Sequence, residues 1–203
     1  MIAVLDYGAG NLQSVLKALR FLGCEADVTS DPARLKKASA AILPGVGAFG
    51  DAMASLDRSG LVQPVLDFIR TGKPFLGICL GLQLLFEESE EAPGIPGLGV
   101  LKGRIRRIPA FPGLKIPHIG WNSLDIQIPS GLFAGLEEHP YVYFVHSYYL
   151  TAADRRDVTA TAEYGVTIDA SVRNGNLFAT QFHPEKSGKA GLKMLRNFAD
   201  MVR

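Results

Sequence analysis

Short apolar runs alternate with amphipathic stretches through the first half of the chain. Ile2 to Leu5 is an unbroken apolar run that predicts a buried strand, followed by the turn Tyr7-Gly8-Ala9-Gly10. Leu12, Val15, Leu16, Leu19 and Leu22 recur at helical spacing behind Asn11, a capping residue type, and Gly23 closes that helix. Cys24 to Thr29 and Ala40 to Leu43 predict the next two strands, the latter ending at Pro44-Gly45-Val46-Gly47. Asp51 to Arg70 reads as helix split by Gly60 and Pro64, Pro74 to Ile78 as a fourth strand, and Leu80 to Glu88 as a helix. Strands that are apolar throughout and separated by helices predict a parallel sheet covered on both faces. Such sheets carry their sites in the loops at the carboxyl ends of the strands. Three Gly-rich turns fall there, at residues 7–10, 44–47 and 77–81.

The pattern changes in the second half. Residues 104–108, 123–128, 141–149, 158–164, 167–173 and 177–182 tend to alternate between turns, which predicts antiparallel strands. A last helix over 188–202 places Leu192, Leu195, Phe198, Ala199 and Val202 on one face. The expected fold class is therefore α/β: one domain over residues 1–203, with a mostly parallel central sheet flanked by helices and an added antiparallel sheet.

Composition narrows the function classes. The 203 residues hold 21 basic and 20 acidic side chains, for a net charge of +1. That balance speaks against a nucleic-acid or anionic-membrane surface. The one basic run, Lys102 to Arg107, alternates like an exposed strand face. No run reaches the roughly 18 apolar residues that a membrane helix needs. The first residues lack the basic start of a signal peptide. With two cysteines, Cys24 and Cys79, the expected compartment is the cytoplasm rather than an oxidising one.

Phe75-Leu76-Gly77-Ile78-Cys79-Leu80-Gly81 carries the chemistry. An apolar strand runs through Gly-x-Cys-x-Gly into a helix, which is the nucleophile elbow of hydrolases with sulfur in place of oxygen. The flanking glycines remove side chains that would strike a neighbouring strand or helix, and the elbow residue itself sits on a strained turn. The helix start points backbone N–H groups at the sulfur, where they favour negative charge, and leaves the amide of Leu80 to donate to an oxyanion. A lone intracellular cysteine is more often a buried apolar residue, and Cys24 fits that description. The elbow frame tips Cys79 toward a nucleophile.

A cysteine nucleophile needs a base and a group that orients the base. Of four histidines, His139 sits in a polar loop, while His118 and His146 fit strand-end hydrogen bonding as well as chemistry. Only His183 has a carboxylate two residues on, Glu185, on the same side of an extended backbone. The turn Pro44-Gly45-Val46-Gly47 is flexible enough for a peptide flip that aims an N–H at a tetrahedral intermediate, and alone it reads equally as an ordinary turn.

Together, Pro44-Gly45-Val46-Gly47, Gly77-Ile78-Cys79-Leu80-Gly81-Leu82-Gln83 and Gln181-Phe182-His183-Pro184-Glu185 resemble the class I, triad-type glutamine amidotransferases, in that family's order. Residues 6–12, 45–49, 117–122, 143–148 and 185–187 resemble more narrowly the glutaminase subunits of imidazole glycerol phosphate synthase. The resemblance spans essentially the whole chain and implies a flavodoxin-like α/β fold. It implies that Cys79 attacks the side-chain amide of glutamine, that His183 takes its proton and later protonates the departing ammonia, and that Glu185 orients His183. Leu80, with Val46 or Gly47 after a flip, would hold the oxyanion, and Gly47, Gln83, Ser147 and Tyr148 would hold the glutamine. It implies no cofactor and no metal. The implied partner is a cyclase subunit, a (β/α)₈ barrel in a heterodimer, with Asn11, Trp121, Tyr143 and Lys186 near the interface. Such a barrel takes about 250 residues, more than this chain has, so the consumer of the ammonia is expected on a separate polypeptide. The readings that compete are a glutaminase serving another acceptor, such as pyridoxal phosphate synthase, a lone γ-glutamyl hydrolase, and a non-catalytic α/β domain with Cys79 as a sensor.

Overall fold

The computed structural model describes residues 1–202. Its first half alternates strictly: β1 (Ile2–Leu5), α1 (Leu12–Phe21), β2 (Ala26–Thr29), α2 (Pro32–Lys37), β3 (Ala40–Gly45), α3 (Phe49–Arg58), α4 (Val62–Arg70), β4 (Phe75–Cys79) and α5 (Leu80–Leu84). The second half holds β5 (Glu88–Ser89), β6 (Gly103–Arg107), β7 (His118–Ser123), β8 (Asp125–Ile126), β9 (Tyr141–His146), β10 (Tyr148–Ala152), β11 (Val158–Glu163), β12 (Thr167–Asn174), β13 (Leu177–Thr180) and α6 (Gly188–Ala199).

Eight strands form the central sheet in the order β2-β1-β3-β4-β13-β12-β11-β8. The pairings from β2 through β13 are parallel, and those from β13 to β8 antiparallel. The expected antiparallel strands thus extend the same sheet rather than forming a separate layer, except in two small sheets, β10-β6-β5 and the ribbon β7-β9. Successive residues of β1 enter opposite cores: Ala3 and Leu5 pack with α2 to α5, Ile2 and Val4 with α1 and α6. β1, β3, β4 and β13 are buried throughout, as a doubly covered sheet requires.

Several sequence expectations shift. β11 and the middle of β12 are buried instead of alternating; over β12 lies β10, whose Ala152 amide donates to the buried Asp169 carboxylate, 2.9 Å. α2 is an additional element; Asp31 caps it by accepting from the Ala33 amide, and Pro32 opens it. Pro64 does not split the long helix: it lies in the first turn of α4, where a missing N–H costs nothing, and Gly60 makes the break. The helix after Cys79 stops at Leu84, and β13 stops at Thr180, short of Phe182. Of the expected 123–128 strand only Asp125–Ile126 form β8, Ser123 being the end of the additional strand β7, and the 141–149 strand is split after His146 into β9 and β10. Asn11 holds the cap position of α1 without a side-chain capping bond.

Candidate active site

Parallel pairing sets the site. In β3–β4 register Gly45 lies opposite Cys79, and in β13–β4 register Thr180 lies opposite Ile78. β4 is therefore flanked at its carboxyl end by the residues 44–47 turn on one side and by the chain that leads to His183 on the other.

Cys79 is the elbow residue that the sequence predicts. It is the one non-glycine residue with positive φ among those described, at 56°, and it is buried. Backbone in that region costs a non-glycine residue about 1–3 kcal/mol and persists only where its surroundings over-determine it. The determinants are its glycines. A Cβ on Gly77 would lie 2.8 Å from the Gly81 carbonyl oxygen, and one on Gly81 would lie 1.9 Å from that of Leu43. Gly77 thus lets α5 fold back on β4, and Gly81 lets α5 press on β3. Gly81→Ala is expected to cost about 3 kcal/mol through overpacking and to lower Tm by on the order of 10 °C. Thermal unfolding measures this, and an unchanged Tm would show that the elbow does not depend on that contact.

His183 and Glu185 meet directly. His183 Nδ1 donates to Glu185 Oε1 at 2.8 Å, with both side chains almost fully buried. The route differs from the extended one expected: residues Pro184–Lys186 form a 3₁₀ turn, and the turn brings the carboxylate under the ring. The other ring nitrogen, Nε2, and Glu185 Oε2 are buried without a protein hydrogen-bond partner. Burial pushes the His183 pKa down, but the nearby Cys79 sulfur and the hydrogen-bonded Glu185 carboxylate, each favouring positive charge on the ring, outweigh it and carry it up to about 9. The ring is therefore a cation at neutral pH, held between sulfur and carboxylate.

A cavity of about 420 Å³ opens over the sulfur. Val46, Gly47, Leu80, Gln83, Ser147, Tyr148 and His183 all line it, so every predicted oxyanion and glutamine-holding residue faces one space. Val46 is 44% exposed and Gly47 has φ +97°, a conformation that frees the loop to turn. The Tyr7 hydroxyl anchors the base of this loop by donating to the Pro44 carbonyl at 2.9 Å.

Glu91 lines the same cavity and was not singled out by the sequence. One carboxylate oxygen accepts from the Phe49 amide at 2.8 Å, capping α3 from a distance. In the chain it belongs to the acidic stretch Glu87-Glu88-Ser89-Glu90-Glu91, indistinguishable from a solvated run. Only the fold separates Glu91 from its neighbours.

His118 and His146 form a buried pair outside the triad. His146 Nδ1 is 2.9 Å from the Tyr148 carbonyl, an acceptor only, so this nitrogen carries the proton. His146 Nε2 must then accept from His118 Nδ1, 3.1 Å away. His118 is stacked on Tyr164 and Phe144. Burial pushes His118 down to about 4 and His146 down to about 3, so both are neutral at pH 7. His139 is exposed, as expected.

Three of the four interface candidates cluster. Trp121, 55% exposed, and Tyr143 face each other across β7–β9 with ring centroids 6.1 Å apart, and Lys186 Nζ lies 5.9 Å from the Tyr143 ring. Lys186 belongs to the turn before α6 and also lines the cavity. Asn11 opens α1, the helix that packs against the Pro184–Lys186 turn, and follows Gly10, where an added Cβ would lie 3.3 Å from the Pro44 ring.

The family model of class-I glutamine amidotransferases matches residues 3–202. The imidazole glycerol phosphate synthase subunit HisH of Methanothermobacter thermautotrophicus is 55% identical over 100% of both chains. That of Syntrophotalea carbinolica is 52% identical over 99% of this chain and 100% of its own. A solved glutamine amidotransferase superposes with a TM-score of 0.77 at 25% identity, covering 99% of this chain and 98% of the other. The PurLQS structure from Thermotoga maritima shares the fold, with a TM-score of 0.77 at 23% identity over 100% and 98% of the two chains. With the model and these relatives spanning nearly every residue, the chain belongs to the class-I glutamine amidotransferase family.

Proposed function

We propose that this chain hydrolyses glutamine to glutamate and ammonia and delivers the ammonia to a separate cyclase subunit, which makes imidazole glycerol phosphate and aminoimidazole carboxamide ribonucleotide in histidine biosynthesis. The place of action is the cytoplasm. The observation that carries the chemistry is a strained, buried Cys79 beside a His183 ring that is held at its far nitrogen by Glu185 and lies in the wall of the cavity. Full-length identity to HisH subunits supports this acceptor over pyridoxal phosphate synthase.

Cys79 Sγ attacks the amide carbon of glutamine, and the Leu80 amide, with that of Val46 or Gly47 after a flip, takes the oxyanion. The His183 imidazolium gives its proton to the leaving nitrogen, which departs as ammonia and leaves a glutamyl thioester. The neutral ring then draws a proton from water, the hydroxide attacks the thioester, and glutamate leaves as the sulfur is restored. Gln83, Ser147 and Tyr148 hold the substrate's amino-acid end, with Glu91 as a carboxylate for its α-ammonium group. Trp121, Tyr143, Lys186 and Asn11 meet the cyclase, which keeps the ammonia from water.

Glutamate release in the presence of the cyclase tests this. Its alkaline limb is expected near pH 9, because the raised pKa of His183 keeps the leaving-group acid charged below that value and lost above it. No glutamate release by the complex would overturn the reading.

A further inference from the structure

We propose that Gln181 belongs to the reaction centre: its side-chain amide nitrogen donates to Cys79 Sγ and supports negative charge there, in an orientation that Gln83 imposes. Gln181 is wholly buried, and its Nε2 lies 3.7 Å from the sulfur. Which end of an amide faces the sulfur is decided by its partners. The Tyr148 carbonyl can only accept, so the Gln83 atom 3.1 Å from it is the amide nitrogen. The same nitrogen lies 3.0 Å from Gln181, so the Gln181 atom facing it must be the oxygen. The NH₂ of Gln181 is left with the sulfur. His146, donating to the same Tyr148 carbonyl, closes the chain at its far end.

The two forms of the nucleophile thus have different partners. A thiol can donate to the Val145 carbonyl, 3.9 Å away. A thiolate cannot use that carbonyl, and it receives the Gln181 N–H instead. Gln83 in turn has both amide hydrogens committed, so it meets the substrate through its oxygen. The effect on turnover rests on the glutaminase reading, whereas donation to the sulfur does not.

The test measures the rate of Cys79 alkylation by iodoacetamide against pH, on the full chain in a Cys24→Ala background. Gln181→Met, similar in shape but without a donor, is expected to raise the midpoint by about one pH unit, the worth of a hydrogen bond to a charged group. In the complex with the cyclase, kcat should fall about tenfold at neutral pH while KM for glutamine stays within about twofold. A second readout needs no variant at this position: the Gln181 side-chain amide resonances of the ¹⁵N-labelled chain should titrate with the alkylation midpoint and stop titrating in Cys79→Ala. An unshifted midpoint in folded Gln181→Met, or resonances fixed through that pH range, overturns the proposal. A complex that hydrolyses no glutamine overturns the glutaminase reading, and the midpoint and the resonances still decide the role of Gln181.

Discussion

His183→Ala is expected to abolish thioester formation, with glutaminase turnover falling by about 10³ to 10⁴, while His146→Ala leaves the thioester step intact. His183 is the ring that Glu185 orients and that Cys79 charges, and its free Nε2 is buried with no other protein partner. His146 has both nitrogens engaged, one by the Tyr148 carbonyl and one by His118, and burial holds it down to about 3. It has no free nitrogen, and at neutral pH its one proton is committed to the Tyr148 carbonyl. Its loss should loosen the Tyr148 carbonyl and so raise KM for glutamine. Rapid quenching followed by mass spectrometry of the acyl-enzyme separates the two variants. Thioester formation surviving in His183→Ala and lost in His146→Ala would overturn the assignment of the base.

The isolated chain should hydrolyse glutamine slowly, and the cyclase with its ligand should accelerate it about 10² to 10³-fold. That range is what one missing oxyanion donor is worth. Leu80 supplies one donor from the start of α5, where a helix has amides to spare. The second must come from the residues 44–47 turn. Tyr7 anchors the Pro44 carbonyl at the base of this turn, whereas Val46 and Gly47 stand at its exposed end. A partner seated on Trp121, Tyr143 and Lys186 would lie over the same rim and could select the flipped peptide. Glutamate release measured with and without the cyclase decides this, and equal rates would sink the coupling.

Local chemistry made the elbow legible. Gly77 is required by the Gly81 carbonyl, two residues past Cys79, so this half of the Gly-x-Cys-x-Gly frame reports a local contact, whereas Gly81 is required by the Leu43 carbonyl across on β3. The apolar runs of β1, β3 and β4 likewise announced strands buried on both faces. The carboxylate partner of His183 was readable from its spacing, although a turn rather than an extended backbone makes the contact.

Elsewhere tertiary structure decided. Strand order is not written in any local pattern, and it is the β3–β4–β13 adjacency that carries the residues 44–47 turn and His183 to either side of Cys79. Burial of β12 depended on β10 lying over it, which no alternation within that strand could foretell. Glu91 and Gln181 are ordinary polar residues until long-range packing sets one in the cavity wall and the other against the sulfur. The sequence by itself thus singled out the elbow at Cys79 and the His183–Glu185 pair, because a Gly-x-Cys-x-Gly frame and a carboxylate two residues from a histidine are written in short spacings. Which further side chains stand around them, and in which hydrogen-bonding sense, was settled only when distant segments met, because an amide takes its direction from its partners.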